Sequence, residues 1–208
     1  MSLASLNLWA DEQRRIHQCL IESLQQLIIK QTVTLTDEEK AITGKFRPIL
    51  RRTRKFIGLT NWSLQFEASS FESEEDPDPF AHPDIRFTTL DIEGDQYDYD
   101  IECKLVRIKR VDAKTDYCYH YVKEGVLRYQ LNKYAQSLPP MGTILGYVQE
   151  GETLALLKTI NQKAKYQRLD ELILNGVVTD RGISHLTQRL KRGNDQGFTL
   201  HHLWADFR

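Results

Sequence analysis

The chain has little cysteine and no C-x-x-C pair. Cys19, Cys103 and Cys118 are an odd number at unrelated spacings, so neither a disulfide framework nor a thiolate zinc site is expected. A reducing, cytoplasmic compartment is the simplest reading of that usage. Long apolar runs are also missing. The longest span a few residues, far short of the roughly 20 that cross a bilayer, so no membrane partner is expected. The opening "MSLASLNLWADEQRR" has no positive stretch followed by an apolar core, and no signal peptide is expected. An excess of one charge sign is absent too. The 28 basic and 29 acidic side chains leave a formal net charge of −1, which argues against a generic nucleic-acid coat and leaves room for a local basic patch. Internal repeats and low-complexity segments are absent.

What is present is an ordinary globular composition, with 40% hydrophobic and 27% charged residues. At 208 residues the chain suits one domain over 1–208, able to bury roughly 70% of its unfolded surface without a staple. Residues 10–30 place Ile16, Leu20, Leu24, Leu27 and Ile28 at helical spacing. A second helix starts near Thr36, where Thr36 and Glu39 form a capping box. Its apolar stripe is Ile42, Phe46, Ile49, Leu50 and Ile57; Pro48 should kink or split it, and Gly58 should end it. Residues 61–69 alternate as a strand. The acidic, Pro-rich stretch 70–83 reads as an exposed loop. Residues 84–92 and 97–110 read as two strands joined through "EGDQ" into a hairpin. Then follow a helix over 117–136, a break at "SLPPMG", a buried strand over 143–148, a helix over 152–168, a helix near 180–192 and a last strand in "FTLHHLWADF". The sum is an α/β fold, a mixed sheet holding a hairpin and flanked by helices.

The run "YDYDIECKL" (97–105) raises the chemical question. Successive strand side chains face opposite ways, so Glu102 and Lys104 share a face with Asp98 and Asp100. Tyr97, Tyr99, Ile101, Cys103 and Leu105 back them. The hairpin allows Asp84, just after Pro83, to meet Glu102 at one end of the sheet. Two carboxylates and the Cys103 carbonyl make an oxygen-rich site suited to Mg²⁺, with Mn²⁺ as a substitute. An ion of that kind makes a neighbouring water easier to deprotonate and stabilises charge on a phosphate. Lys104 would orient that water or neutralise developing charge. The chemistry that fits is phosphodiester hydrolysis. Asp98 and Asp100, further back, read as solvated charges near the turn.

"PD", 17 residues and "ECK", in this order of elements, resemble the PD-(D/E)xK nuclease superfamily, the restriction-endonuclease-like fold. Its core order is αβββαβ. The resemblance implies metal-binding carboxylates at Asp84 and Glu102, the catalytic lysine at Lys104, and a glutamate from the first core helix at Glu39, with Glu38 second in line. It covers residues 36–150, and "YVKEGVLRYQLNKYAQSLPPMGTILGYVQEG" and "LHHLWADF" are similar to bacterial members associated with defence against foreign DNA. The function implied is a Mg²⁺-dependent endonuclease, most readily on DNA. The alternative is a silent or partner-activated subunit of the same fold, with a helicase or ATPase as the partner. Double-strand cutting would favour a dimer.

The segment "KFRPILRRTRK" (45–55) carries six basic side chains in eleven residues. Lys45, Arg47, Arg51 and Arg52 are candidate phosphate contacts, joined by Arg128 and Lys133 on the later helix. Tyr121, Tyr129, Tyr134, Trp9, Trp62 and Trp204 read as packing residues. His82 reads as an exposed loop residue. His201 and His202 have neither a cysteine partner nor metal-ligand spacing.

Overall fold

The computed structural model describes residues 3–67, 82–90, 94, 96–108, 115–136, 140, 142–178, 182–192 and 197–208, with side chains from residue 9 on and excepting those of 176–178. Helix α1 (Leu3–Ile29) and helix α2 (Glu39–Phe56) come first. Strands β1 (Ser63–Phe66), β2 (Ile85–Leu90) and β3 (Gln96–Val106) follow. A helical stretch comes next: α3 (Tyr117–His120), a π-helical segment (Tyr121–Val126) and α4 (Leu127–Gln130). The chain continues with β4 (Gly142–Val148), α5 (Thr153–Tyr166), β5 (Ile173–Val178), β6 (Ile183–Lys191) and β7 (Gly197–Asp206). From α2 to β4 this is helix, three strands, helix, strand, the order expected from the sequence. The fold is mixed α/β.

All seven strands form one sheet in the order β1-β2-β3-β4-β7-β6-β5. The middle three, β3, β4 and β7, run parallel. Antiparallel pairs flank them, β1 and β2 on one side and β5 and β6 on the other. The parallel centre is buried on both faces, which is why every residue of β4 is buried. One face packs against α1 and α2 through Ile16, Leu20, Leu24, Ile42, Phe46 and Leu50. The other packs against the α3–α4 stretch and α5 through Tyr121, Val126, Tyr129, Leu156 and Ile160. The tyrosines and tryptophans read as packing residues are buried in these two cores. Among the described residues, no helix is long and apolar enough to cross a membrane.

Several expectations change. The helix expected near 180–192 is β6, hydrogen-bonded on both sides by β5 and β7. Ile183, Leu186 and Leu190 are spaced as a helix would space them, but the strand partners decide the period. The helix expected over 117–136 ends at Gln130 and is π-helical in the middle. Helix α2 starts at Glu39 rather than Thr36, and its N-cap residue Glu38 makes no side-chain cap. Thr36 bonds Thr34 instead, and Glu39 is drawn away to β3. Pro48 does not split α2, because the buried turns on either side hold the helix across the one lost backbone bond. At the far end Gly58, at φ +77, accepts the left-handed geometry of a Schellman stop, with Leu59 N–H donating to the Arg54 carbonyl. The loop expected over 70–83 lies outside the described residues except His82 and Pro83, and so do residues 93 and 95 of the "EGDQ" turn.

Candidate functional site

The site forms where β2 stops accompanying β3. The pairing runs from Leu90↔Gln96 to Ile85↔Ile101. Beyond Ile101, β3 continues beside β4 only. Its N–H groups on the vacated side need acceptors, and two carboxylates supply them. Asp84, at the head of β2, accepts from the Cys103 N–H at 2.7 Å. Glu39, in the first turn of α2, accepts from the Leu105 N–H at 3.2 Å. The end of β1 fixes Asp84 in turn, the Glu67 N–H donating to the Asp84 carbonyl.

Lys104 binds these parts together. Its ammonium lies 2.7 Å from Glu102 Oε1 and 3.2 Å from Glu39 Oε1, and it donates to the Cys103 carbonyl at 3.0 Å. Arg128 of α4 adds a second cation on the same glutamate oxygen, Nη1 to Oε1 2.9 Å. Arg128 also donates to the Tyr134 hydroxyl, which donates to the His82 carbonyl. The π segment brings its backbone close to Lys104. A Cβ on Gly125 would lie 3.3 Å from Ile144 Cδ1 and 3.6 Å from Lys104 Cγ, so glycine lets the wide turn press against the lysine stem.

Burial sets the charges. Glu102 is 1% exposed. Loss of solvation pushes its carboxyl up to about 7, Lys104 and Arg128 pulling it back and Asp84 adding to the rise. Burial raises Glu39 as well, against the pull of Lys104. Burial alone would lower the pKa of Lys104, but Glu102, Glu39 and Asp84 outweigh it and raise it. Lys104 is therefore an ammonium at neutral pH. Glu102 Oε2, by contrast, is buried with no hydrogen-bond partner.

The structure thus brings Asp84, Glu102, Lys104, Glu39 and the Cys103 carbonyl to one place. Glu38 stays exposed outside it. Among the described residues, the three carboxylates do not close to within 4.8 Å of one another as His17, His185 and His201 do; Lys104 sits between Glu39 and Glu102. Arg128, read from the sequence as a phosphate contact, lies on Glu102. Lys45 is tied to Asp37 and to the Thr32 carbonyl. Arg47 pairs with Glu67, while Arg51 stacks on Phe66 and, like Arg52, is exposed. Lys133 is half-buried after α4.

Asp100 is not the solvated charge its neighbourhood suggested. It is 1% exposed, held by Arg86 Nε at 2.6 Å and by the Ala135 N–H at 2.8 Å. The alternation of β3 placed it on the covered face; Arg86 comes from the paired strand β2, and Ala135 from a turn the sequence does not place beside it. Tyr134 and Arg128 as supports of Glu102 were likewise invisible, because they reach the site only through the fold of α4 and the turn after it. Comparison of the chain with protein-family models, curated proteins and solved structures gives no match.

Proposed function

We propose that the protein is a Mg²⁺-dependent nuclease of the restriction-endonuclease-like fold, acting on DNA in the cytoplasm, in a role such as defence against foreign DNA. The observation that carries this reading is the meeting of Asp84, Glu102 and Lys104 with Glu39 where β3 loses its partner strand. The donor set fits a small hard cation: the buried, unpartnered Glu102 Oε2, the Asp84 carboxylate and the Cys103 carbonyl are all oxygens. Bound there, Mg²⁺ would supply Lewis-acid stabilisation of the phosphate charge.

The chain's own groups divide the remaining work. Asp84 and Glu102 would hold the cation. Lys104, charged at neutral pH, would turn one of the three N–H groups now on Glu102, Glu39 and the Cys103 carbonyl to the attacking water or to the developing negative charge rather than remove a proton. Glu39 keeps the lysine aimed by holding Nζ from the α2 side. Arg128 fixes the Glu102 carboxylate so that one oxygen is engaged and the other is left for the ion. The exposed Arg51 and Arg52, on the first helix of the core, suit phosphate contacts along the backbone.

A partner-activated form of the same enzyme, with a helicase or ATPase as the activator, is favoured by one feature: Lys104 bridges Glu39 and Glu102 and stands among the carboxylates. The deciding assay incubates plasmid, linear DNA, single-stranded DNA and RNA with Mg²⁺, Mn²⁺ or EDTA, beside Lys104→Ala. Cleavage that disappears with EDTA and in the variant supports the nuclease. Equal cleavage by Lys104→Ala would remove it. Well-folded protein that cuts nothing would move the weight to the activated form, with a dimer needed only if both strands are cut.

A further inference from the structure

A second group of side chains lies on the α1 face of the sheet, away from the carboxylates. It joins three elements that are far apart in the chain. His17 comes from α1, His185 from β6 and His201 from β7. One ring nitrogen from each lies within 4.8 Å of the other two. His185 Nε2 and His201 Nδ1 are 3.1 Å apart, close to the roughly 3.3 Å that separates two imidazole nitrogens on one tetrahedral zinc with bonds of about 2.0–2.1 Å.

The register explains the meeting. His185 pairs with Leu203, and His201 pairs with Thr187, so the two histidines are diagonal neighbours on one face. His201 is followed by His202, which points to the other face and bonds Tyr121 at 2.7 Å. Helix α1 crosses above and sets the His17 ring 4.4 Å from that of His201, centroid to centroid. The His17 ring is oriented from the sheet side. Its Nε2 is 2.6 Å from the Tyr99 hydroxyl and 3.2 Å from Thr143 Oγ1. Hydrogen bonds to a ring nitrogen fix ring direction, as partners outside the ligand set do at metal sites. Burial keeps all three rings neutral, the form that ligates a metal.

The group is also reachable. A surface pocket of about 410 Å³ opens on His17 and His185, with Gln18, Glu22 and Arg14 on its walls. We infer that His17, His185 and His201 bind one zinc ion, with the fourth position open toward this pocket. Such an ion joins α1, the first helix, to the antiparallel strands β6 and β7. It is borderline-soft and takes imidazole, whereas the carboxylate site takes a hard cation. The inference does not rest on the nuclease reading.

The test is calorimetric titration of the metal-free protein with Zn²⁺, repeated with Co²⁺ followed by its visible absorption. Wild type should take up one equivalent with a Kd below about 1 μM, give the intense bands of tetrahedral cobalt, and unfold at a higher temperature with zinc. His201→Gln and His185→Gln should each weaken zinc at least about 100-fold and lose those bands, while Asp84→Asn retains both. Far-ultraviolet dichroism checks that each variant is folded. His185, half-buried on β6, is the variant that keeps the test open if His201→Gln fails to fold. No zinc uptake by wild type, or uptake unchanged in both histidine variants, overturns the inference. So does uptake lost in Asp84→Asn but kept in the histidine variants, which would place the ion on the carboxylates.

Discussion

The molecule holds two clusters of ionisable groups on one sheet, and they are built on opposite electrostatic terms. At the head of β2, three carboxylates surround Lys104, which is shared between Glu39 and Glu102 and keeps its charge, while Arg128 adds a second cation on Glu102. Under α1, three histidines face one another and stay neutral, because loss of solvation and mutual repulsion both disfavour the proton. Charge in the first cluster is retained by pairing; in the second it is avoided. Buried ions need partners, whereas buried neutral imidazoles keep lone pairs available. The same sheet therefore carries one group of oxygens and one group of ring nitrogens, each completed by a side chain from a helix.

The contrast can be broken most sharply at Lys104. Lys104→Ala should cut the rate of DNA cleavage by about 10²–10³-fold, the loss typical of one preorganised donor, measured on plasmid at saturating Mg²⁺. A rate within a few-fold of wild type would mean that the buried ammonium is only structural.

The pH dependence of Mg²⁺ binding gives the next largest effect. On the proposed function the ion would need the carboxylate form of Glu102, whose pKa burial pushes up to about 7. A proton competes below that value, so affinity should fall about tenfold per pH unit as pH drops below 7 and level off above it. Isothermal titration over that range checks this, and a flat profile would take Glu102 out of the ligand set.

His202 sharpens the other side. Its ring is fully buried, and burial, then His201 and His185, lower its pKa to about 3. The folded state takes up the proton less readily than the unfolded chain, so this residue's contribution is complete above the usual histidine value and is lost as pH falls toward 3. His202→Asn should make the acid-side slope of stability shallower by up to about 1.4 kcal/mol per pH unit. Denaturant melts at a series of pH values would show it, and an unchanged slope would contradict a neutral buried ring.

The smallest effect is expected at Gly125. Gly125→Ala adds a methyl 3.3 Å from Ile144 Cδ1, and crowding of about 1 kcal/mol is offset by a helical preference of alanine over glycine of about 1 kcal/mol, so stability should change little. Cleavage should fall more than stability does, because the same methyl leans on the Lys104 stem. Thermal melts beside rate measurements separate the two; equal losses would make the π segment a packing device only.

How much of this was legible depends on the distance over which each feature is encoded. The α1 and α2 stripes, the β2–β3 hairpin and the buried β4 follow from local periodicity, and all are present. The face shared by Glu102 and Lys104 follows from strand alternation, and the hairpin brings Asp84 within reach. Residues 183–191 were misread because their apolar spacing suits a helix until β5 and β7 supply strand partners. The Thr36–Glu39 pattern spelled a helix cap, yet Glu39 turns to Lys104 and the Leu105 N–H.

By itself, then, the sequence determined the alternation of β3, the pairing of β2 with it, and the presence of two carboxylates and a lysine at one end of that pair. Each of these is set by neighbours within a few residues or by a single turn. Tertiary structure alone decided that β3 outruns β2, that Arg128 and Tyr134 close over Glu102, and that His17, His185 and His201 meet. Those positions are separated by up to most of the chain, and only the packing of both faces of the sheet fixes which of them become neighbours.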